Sequence, residues 1–422
     1  MEISDLNPWW KNGRVEIEYE RSIARPSLKE IINFIEERQI LTIIGLRRAG
    51  KTTIIHQIIN HLLNKKVKKE NILYYNFDMG TLEIEEMINK FEAITNVKIK
   101  EEKVFIFLDE IQKLDNWHNK LKLIYDLNKN IKFFITGSAS LFIEKKTKES
   151  LAGRIFSFQL TPLTFKEFLL FKDLKYEKNI DLWKKEINNF FIDYLKTGGF
   201  PELVDEKNNE KIKAYIKESI IDRLIYIDIP QVFKIDEPEL LIKLINIISS
   251  NPGMIIDFNN IASDLKRNRK TIASYLFYLE KAFLIKKFYN FSSNFLTSEK
   301  KGKRFYPAST AFAYFFDVEM SKLVENTVAI ALDTKFFYRK QNQEVDFIKV
   351  KKNKELRAIE VKYKENIKKE DLAGLKHFFN RFSEKFEVKS FLITKNLEDI
   401  IKLDEFKLNA IQCWKWLLIT PD

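Results

Sequence analysis

Over the first 160 positions, short apolar runs alternate with longer amphipathic stretches. The runs cover residues 40–45, 72–77, 104–108, 132–136 and 155–160. Runs of five or six residues with little polar alternation predict strands buried on both faces. The amphipathic segments between them predict crossover helices. Alternating strands and helices predict a parallel sheet with helices on both faces. A helix that starts at Pro26 and carries Leu28, Ile31, Ile32 and Ile35 precedes the first strand.

The pattern changes after Pro162. Residues 165–171, 182–196 and 211–229 read as helices, broken at Gly198-Gly199-Phe200-Pro201. Three short helical patterns occupy 238–285, and 286–307 alternates like a hairpin. A helix containing Glu325 leads into strands at 336–339, 345–349 and 357–363. A helix at 371–382 and closing strands near 388–394 and 410–418 complete a small α/β unit. There is no internal repeat and no low-complexity linker.

Composition narrows the class. The 422 residues are 45% hydrophobic and 31% charged, the balance of a folding globular chain. No stretch approaches the roughly 18 uncharged apolar residues of a membrane span. Residues 1–5 have neither the basic nor the apolar region of a secretory signal. One cysteine excludes an intramolecular disulfide framework and a Cys-clustered zinc site. The four histidines are widely spread, which argues against a His-rich metal site, and the expected compartment is the reducing cytoplasm. The net charge of +12 is compatible with a nucleic-acid partner. Between Ile261 and Arg304 there are 11 basic and three acidic residues, so most of that excess sits in one window. A solvated basic face in a Lys-rich chain is the competing explanation.

Glycine is scarce, 11 residues against a usual share of about 7%, so each marks a place where backbone geometry demands it. Two fall in Gly45-Leu46-Arg47-Arg48-Ala49-Gly50-Lys51-Thr52, which fits G-x-x-x-x-G-K-[ST] after an apolar strand and before a helix beginning at Thr53. Such a loop turns successive backbone N–H groups toward a β-phosphate, and the helix N-terminus adds a favourable dipole. Lys51 is placed to reach the β- and γ-phosphates, and Thr52 offers a hydroxyl to Mg²⁺. The next apolar strand ends in Asp109-Glu110. Asp109 is a candidate Mg²⁺ partner and Glu110 a candidate base for the attacking water. Thr136 or Ser138, after the fourth strand, is a candidate γ-phosphate sensor. Arg154 is a candidate source of transition-state charge, within its own subunit or across a neighbour. Asp78 is a further candidate acid. ATP and Mg²⁺ are the expected cofactors.

At these residues the chain resembles the AAA-like P-loop ATPases of archaea and bacteria that carry a C-terminal domain of unknown function numbered 4143. The likeness runs through Gly45–Thr53, Leu108-Asp109-Glu110-Ile111-Gln112-Lys113, Trp117, Thr136-Gly137-Ser138 and 151–154. It continues through 160–168, Gly198-Gly199-Phe200-Pro201-Glu202, Glu325-Asn326, Tyr338-Arg339, Glu344-Val345-Asp346 and Glu360-Val361-Lys362. Asn7-Pro8-Trp9-Trp10 is similar to an archaeal branch, so the likeness covers nearly the whole chain. It implies an ATPase core with an additional strand and a catalytic Glu, then a winged helix, then a nuclease-like fold. The sequence leaves two readings for Trp9 and Trp10: stacking on adenine, or packing against another domain.

Residues 258–285 suit a helix-turn-helix. Ile272, Leu276, Leu279 and Phe283 share one face and read as core. Arg267, Arg269, Lys270 and Ser274 face out, where a recognition helix meets DNA. The hairpin at 286–305 would be the wing, with Lys300, Lys301, Lys303 and Arg304 near its tip. In the last unit, Asp346 and the pair Glu360 and Lys362 on adjacent strands, with Glu325 on the preceding helix, resemble a PD-(D/E)xK nuclease core. The two acids, joined by Glu325, are candidate Mg²⁺ ligands, and Lys362 is a candidate for orienting water. Alternating Glu and Lys is also an ordinary solvated strand face.

The expected fold is α/β. A parallel-sheet P-loop NTPase core spans 1–163, a helical lid 164–235, a winged helix 236–310 and a restriction-endonuclease-like α/β domain 311–422. Three functions follow: an ATPase whose C-terminal modules respond to nucleotide and act on or near DNA, an ATP-gated nuclease, or a nucleotide-dependent switch that docks a protein. No membrane partner is expected, and the oligomeric state is open.

Overall fold

The computed structural model describes residues 2–20, 22–80, 82–137, 150–176, 179–292, 294–403 and 405–419. Ser138 lies outside these residues. The chain divides into two compact units, one of residues 1–162 and 227–234 and the other of 163–226 and 235–422.

In the first unit, β1 (Ile40–Gly45), β2 (Ile72–Asn76), β3 (Val104–Asp109), β4 (Ile131–Gly137) and β5 (Ile155–Leu160) form one sheet. All its pairings are parallel, and the spatial order is β2-β3-β4-β1-β5. β4 is inserted between β1 and β3, so the loop after β1 and the acids after β3 both emerge at the carboxyl edge. The three central strands β1, β3 and β4 are buried along their whole length, which explains their unbroken apolar runs. β5, at the edge, is partly or well exposed until the buried Leu160.

β2 is the other edge, and the N-terminal segment closes it. The Asn7 side-chain amide donates to the Tyr74 carbonyl at 3.0 Å and accepts from the Tyr74 N–H at 2.7 Å. Both indole N–H groups, of Trp9 and Trp10, donate to the Ile72 carbonyl. An unpaired strand edge is a template for unwanted pairing, and side chains satisfy it here. Trp9 is fully buried. Both rings therefore pack within the first unit, against the sheet edge, and Trp9 has no exposed face for adenine.

In the second unit, nine strands form one mixed sheet. They are β6 (Met254–Ile256), β7 (Ile285–Asn290), β8 (Lys303–Pro307), β9 (Phe336–Lys340), β10 (Gln343–Val350), β11 (Glu355–Lys362), β12 (Glu387–Thr394), β13 (Asp399–Leu403) and β14 (Phe406–Gln412), in the order β13-β14-β12-β11-β10-β9-β7-β8-β6. The hairpin β7–β8 forms as expected, but the helix Phe295–Lys300 fills its connection. β7 also pairs in parallel with β9, which joins the hairpin to the C-terminal strands. The expected strand at 410–418 ends at Gln412, and Cys413–Ile419 is a helix. β13 was not expected.

The helix-turn-helix forms from Phe258–Asp264 and Arg269–Lys281. Asp257 caps the first helix by accepting the N–H groups of Asn259 and Asn260. Asn268 caps the second through the N–H of Thr271. Ile272, Leu276 and Leu279 are buried, as their spacing predicts, and Phe283 is partly buried just past the helix end.

Candidate functional site

At the carboxyl edge of the first sheet, the loop from Gly45 to Gly50 passes into the helix Lys51–Asn64. Gly45 sits where β1 meets β5 so closely that a Cβ would lie 2.0 Å from the Leu160 carbonyl oxygen. Gly50 caps the helix at φ +93°, with open space where a side chain would stand. Leu46 and Ala49 are buried and anchor the loop, while Arg48 is exposed at φ +64° and Thr53 lies partly buried in the first helical turn. Arg25 braces the loop from behind, donating to the carbonyls of Ala49 at 3.0 Å and Thr161 at 2.9 Å.

Lys51 is buried, and its ammonium curls onto its own loop, 3.4 Å from the Gly45 carbonyl and 3.3 Å from that of Leu46. It stands 3.8 Å from Glu110 Oε1. Thr52 Oγ1 donates to Asp109 Oδ2 at 2.8 Å. Asp109 is fully buried and also accepts the Tyr74 hydroxyl at 2.9 Å and the Thr136 hydroxyl. Thr136 in turn accepts the Glu110 backbone N–H at 3.0 Å. Glu110 adopts φ +54°, a left-handed conformation uncommon outside glycine that carries local strain. Its Oε2 is held by the Gln112 side-chain amide.

Lys51, Thr52, Asp109, Glu110 and Thr136 therefore meet in one place, as their motifs require. Arg47 points elsewhere, pairing with Asp78 at 3.9 Å and Asp228 at 3.8 Å, and Asp78 also faces Lys113 at 3.7 Å. Arg154 is not part of this group. Ile40 pairs with Ile155 and Gly45 with Leu160, so Arg154 lies at the opposite edge of the sheet, about 17 Å of strand away. There it forms a two-pronged pair with Asp126. Charge from Arg154 does not reach the loop of its own subunit. Tyr74, Gln112 and Arg25 were missed. A tyrosine within β2, the strand paired with the one that ends in Asp109, was the available signal for the first.

The donor set fits a nucleotide triphosphate with Mg²⁺. A hydroxyl and a carboxylate already sit together beside an ammonium and an open helix N-terminus, and Mg²⁺ takes few protein ligands when phosphates supply the rest.

The acidic group of the second unit is arranged differently. Glu325, Asp346 and Glu360 are buried and close together, with Lys362 on Glu360. Among them stands Arg304, which the sequence placed at a wing tip. Arg304 and Tyr306 alternate on β8 and so share a face, and that face is turned inward. Arg304 is 4% exposed, lies over the Phe337 ring and contacts Asp346 at 3.3 Å. Burial, with the Asp346 charge beside it, pushes the Glu360 carboxyl up to about 8. Burial likewise raises Glu325, whose proximity to Asp346 adds to the effect. Among the described residues no three His, Cys, Asp or Glu side chains are arranged to hold a metal. These residues do not fit Mg²⁺ as they stand.

On the helix-turn-helix, Arg269 and Lys270 are exposed at the start of the second helix. Arg267 is held by Glu237 through paired hydrogen bonds.

The AAA domain family matches residues 37–169. Two domains of unknown function, DUF8612 and DUF4143, match residues 188–317 and 322–416. An uncharacterized protein of Methanocaldococcus jannaschii, MJ1544, is 30% identical over 406 residues, covering 90% of this chain and 88% of its own length. An uncharacterized protein of Haemophilus influenzae is 29% identical over 270 residues, covering 62% of this chain and 64% of its own length. Among solved structures, the Walker-type ATPase of Pyrococcus abyssi aligns with 71% of this chain and 97% of its own at 15% identity, with a TM-score of 0.41. Among the described residues no helix is long and apolar enough to cross a membrane.

Proposed function

The chain belongs to the family of AAA-like P-loop ATPases with a C-terminal DUF4143 domain, and from that premise we propose that it binds and hydrolyses Mg-ATP at the loop 45–53. The observation that carries this is the Thr52–Asp109 hydrogen bond at 2.8 Å beside Lys51 and Glu110. Backbone N–H groups of Leu46, Arg47, Arg48, Ala49, Gly50 and Lys51 cradle the phosphates, with the helix at Thr53 behind them. Lys51 exchanges its loop carbonyls for phosphate oxygens. Thr52 and Asp109 would hold Mg²⁺, which would offset the negative charge of the triphosphate. Glu110 accepts a proton from the attacking water, and Gln112 and Thr136 fix its orientation.

In this reading Arg154 has no role in its own subunit's hydrolysis. The lid at 164–235, the winged helix at 236–310 and the domain at 311–422 act as the parts that respond to nucleotide. Exposed Arg269 and Lys270 favour action on or near DNA over docking of a protein. The nuclease alternative is not supported at Glu325, Asp346, Glu360 and Lys362, because those residues do not fit a divalent cation. The test is equilibrium binding of a fluorescent ATP analogue. Wild type is expected to bind in the presence of Mg²⁺, and Lys51→Ala to lose at least tenfold in affinity. Unchanged binding in Lys51→Ala would end this reading.

A further inference from the structure

An Asp on one strand and Glu-x-Lys on its neighbour make a divalent-cation site when their carboxylate oxygens converge on one position that a metal can enter. Here all six oxygens of the three central acids are taken by the protein itself. Asp346 Oδ1 faces Arg304 Nη1 at 3.3 Å, and Oδ2 accepts the Val361 N–H at 2.9 Å. Glu360 Oε2 accepts the Asp346 N–H at 3.2 Å, and Oε1 is paired with Lys362. Glu325 Oε1 accepts the Tyr306 hydroxyl at 2.7 Å, and Oε2 accepts Lys322 Nζ at 2.7 Å.

The guanidinium is the centre of this group. Arg304 Nη1 is also 3.9 Å from Glu325 Oε1, and Nη2 bonds Glu344. It thus touches acids from the helix Met320–Ala331 and from β10, while it hangs from β8 of the hairpin. An arginine does not lose its proton inside a protein. Displacing it by a metal would leave a buried cation without a partner, which is strongly unfavourable.

We propose that Arg304 is a built-in counter-ion occupying the place of the divalent cation in this Asp…Glu-x-Lys arrangement, so that the cluster is closed to metal and opens to it only when the guanidinium is removed. A fixed organic cation balances the same acids that a metal would, and it ties the hairpin strand β8 to β10 across the intervening β7 and β9 in doing so. The cluster then acts as a structural joint of the nine-stranded sheet rather than as a hydrolytic centre. Arg304→Met keeps the apolar stem over Phe337 and leaves the acids without their counter-ion.

The test is Mn²⁺ binding to the nucleotide-free full chain, read by electron paramagnetic resonance, with the melting temperature followed in parallel. Wild type, Asp346→Asn and Glu360→Gln are expected to bind Mn²⁺ equally. Arg304→Met is expected to gain an additional Mn²⁺ site and a Mn²⁺-dependent rise in melting temperature, both lost in Arg304→Met/Asp346→Asn. Mn²⁺ bound by wild type and lost in both Asp346→Asn and Glu360→Gln would overturn the proposal. So would a folded Arg304→Met that gains no site. Where Arg304→Met fails to fold with or without Mn²⁺, the comparison of wild type with Asp346→Asn and Glu360→Gln decides alone.

Discussion

Asp109 shows how one residue organises a site. It ends β3 fully buried and collects hydroxyls from Thr52, Tyr74 and Thr136, each delivered by a different element. Hydrogen bonds to a charged acceptor are worth more than neutral ones, on the order of 1.5–3 kcal/mol, so these contacts fix the carboxylate beside the loop. His56, on the helix behind the loop, has a different consequence. It stacks on Tyr19 with ring centroids 4.0 Å apart, and burial lowers its pKa to about 4. The unfolded chain takes up a proton near pH 6.5, whereas the folded chain resists it until about pH 4. Stability is therefore full above pH 6.5 and is lost as pH falls through that window, by about 3 kcal/mol. Chemical denaturation at pH 7 and pH 4 checks this: wild type should lose about that much more stability than His56→Phe. An equal loss in both would remove His56 as the cause.

At the scale of elements, the strands of the first unit were legible because full burial writes itself as an unbroken apolar run, and the loop because its chemistry permits few residues. The hairpin β7–β8 was legible from alternation, but the inward turn of its Arg304 face was not. Nothing local distinguishes an arginine aimed at solvent from one aimed at Asp346, 42 residues further along the chain. The run at 410–418 carries enough apolar residues for strand or helix, and packing decided for helix after Gln412. The start of the helix Arg269–Lys281 presents a smaller basic surface than the composition suggested. In that window Arg267 is tied to Glu237 and Lys287 to Glu280. Lys286 caps helix carbonyls at Ala329 and Ile330, and Arg304 is buried. On the proposed reading in which Arg269 and Lys270 carry the DNA contact, binding should weaken with salt at a logarithmic slope near −2, at roughly −0.9 per phosphate neutralised. Fluorescence anisotropy on duplex DNA measures it. A slope steeper than about −5 would mean a larger basic face than the fold presents.

For the whole molecule, two sheets carry two constellations that the sequence offered as candidate sites, the second with an ordinary solvated strand face as its rival. Both unite acids with basic side chains, and what separates them is how the cation is held. At the first, Lys51 rests on weak contacts of 3.3–3.4 Å to its own loop and is free to exchange them. At the second, every central carboxylate oxygen is matched inside the fold. Sequence spacing reports which residues share a face, but it does not report whether the space between them is already filled. In the proposed reaction Glu110 is the group that turns a bound nucleotide into a hydrolysed one. Its most direct test is single-turnover hydrolysis of radiolabelled ATP by wild type and Glu110→Gln, with bound nucleotide identified afterwards. Glu110→Gln is expected to retain uncleaved ATP with affinity near that of wild type while the rate falls at least a hundredfold. Hydrolysis at the wild-type rate in Glu110→Gln would contradict it.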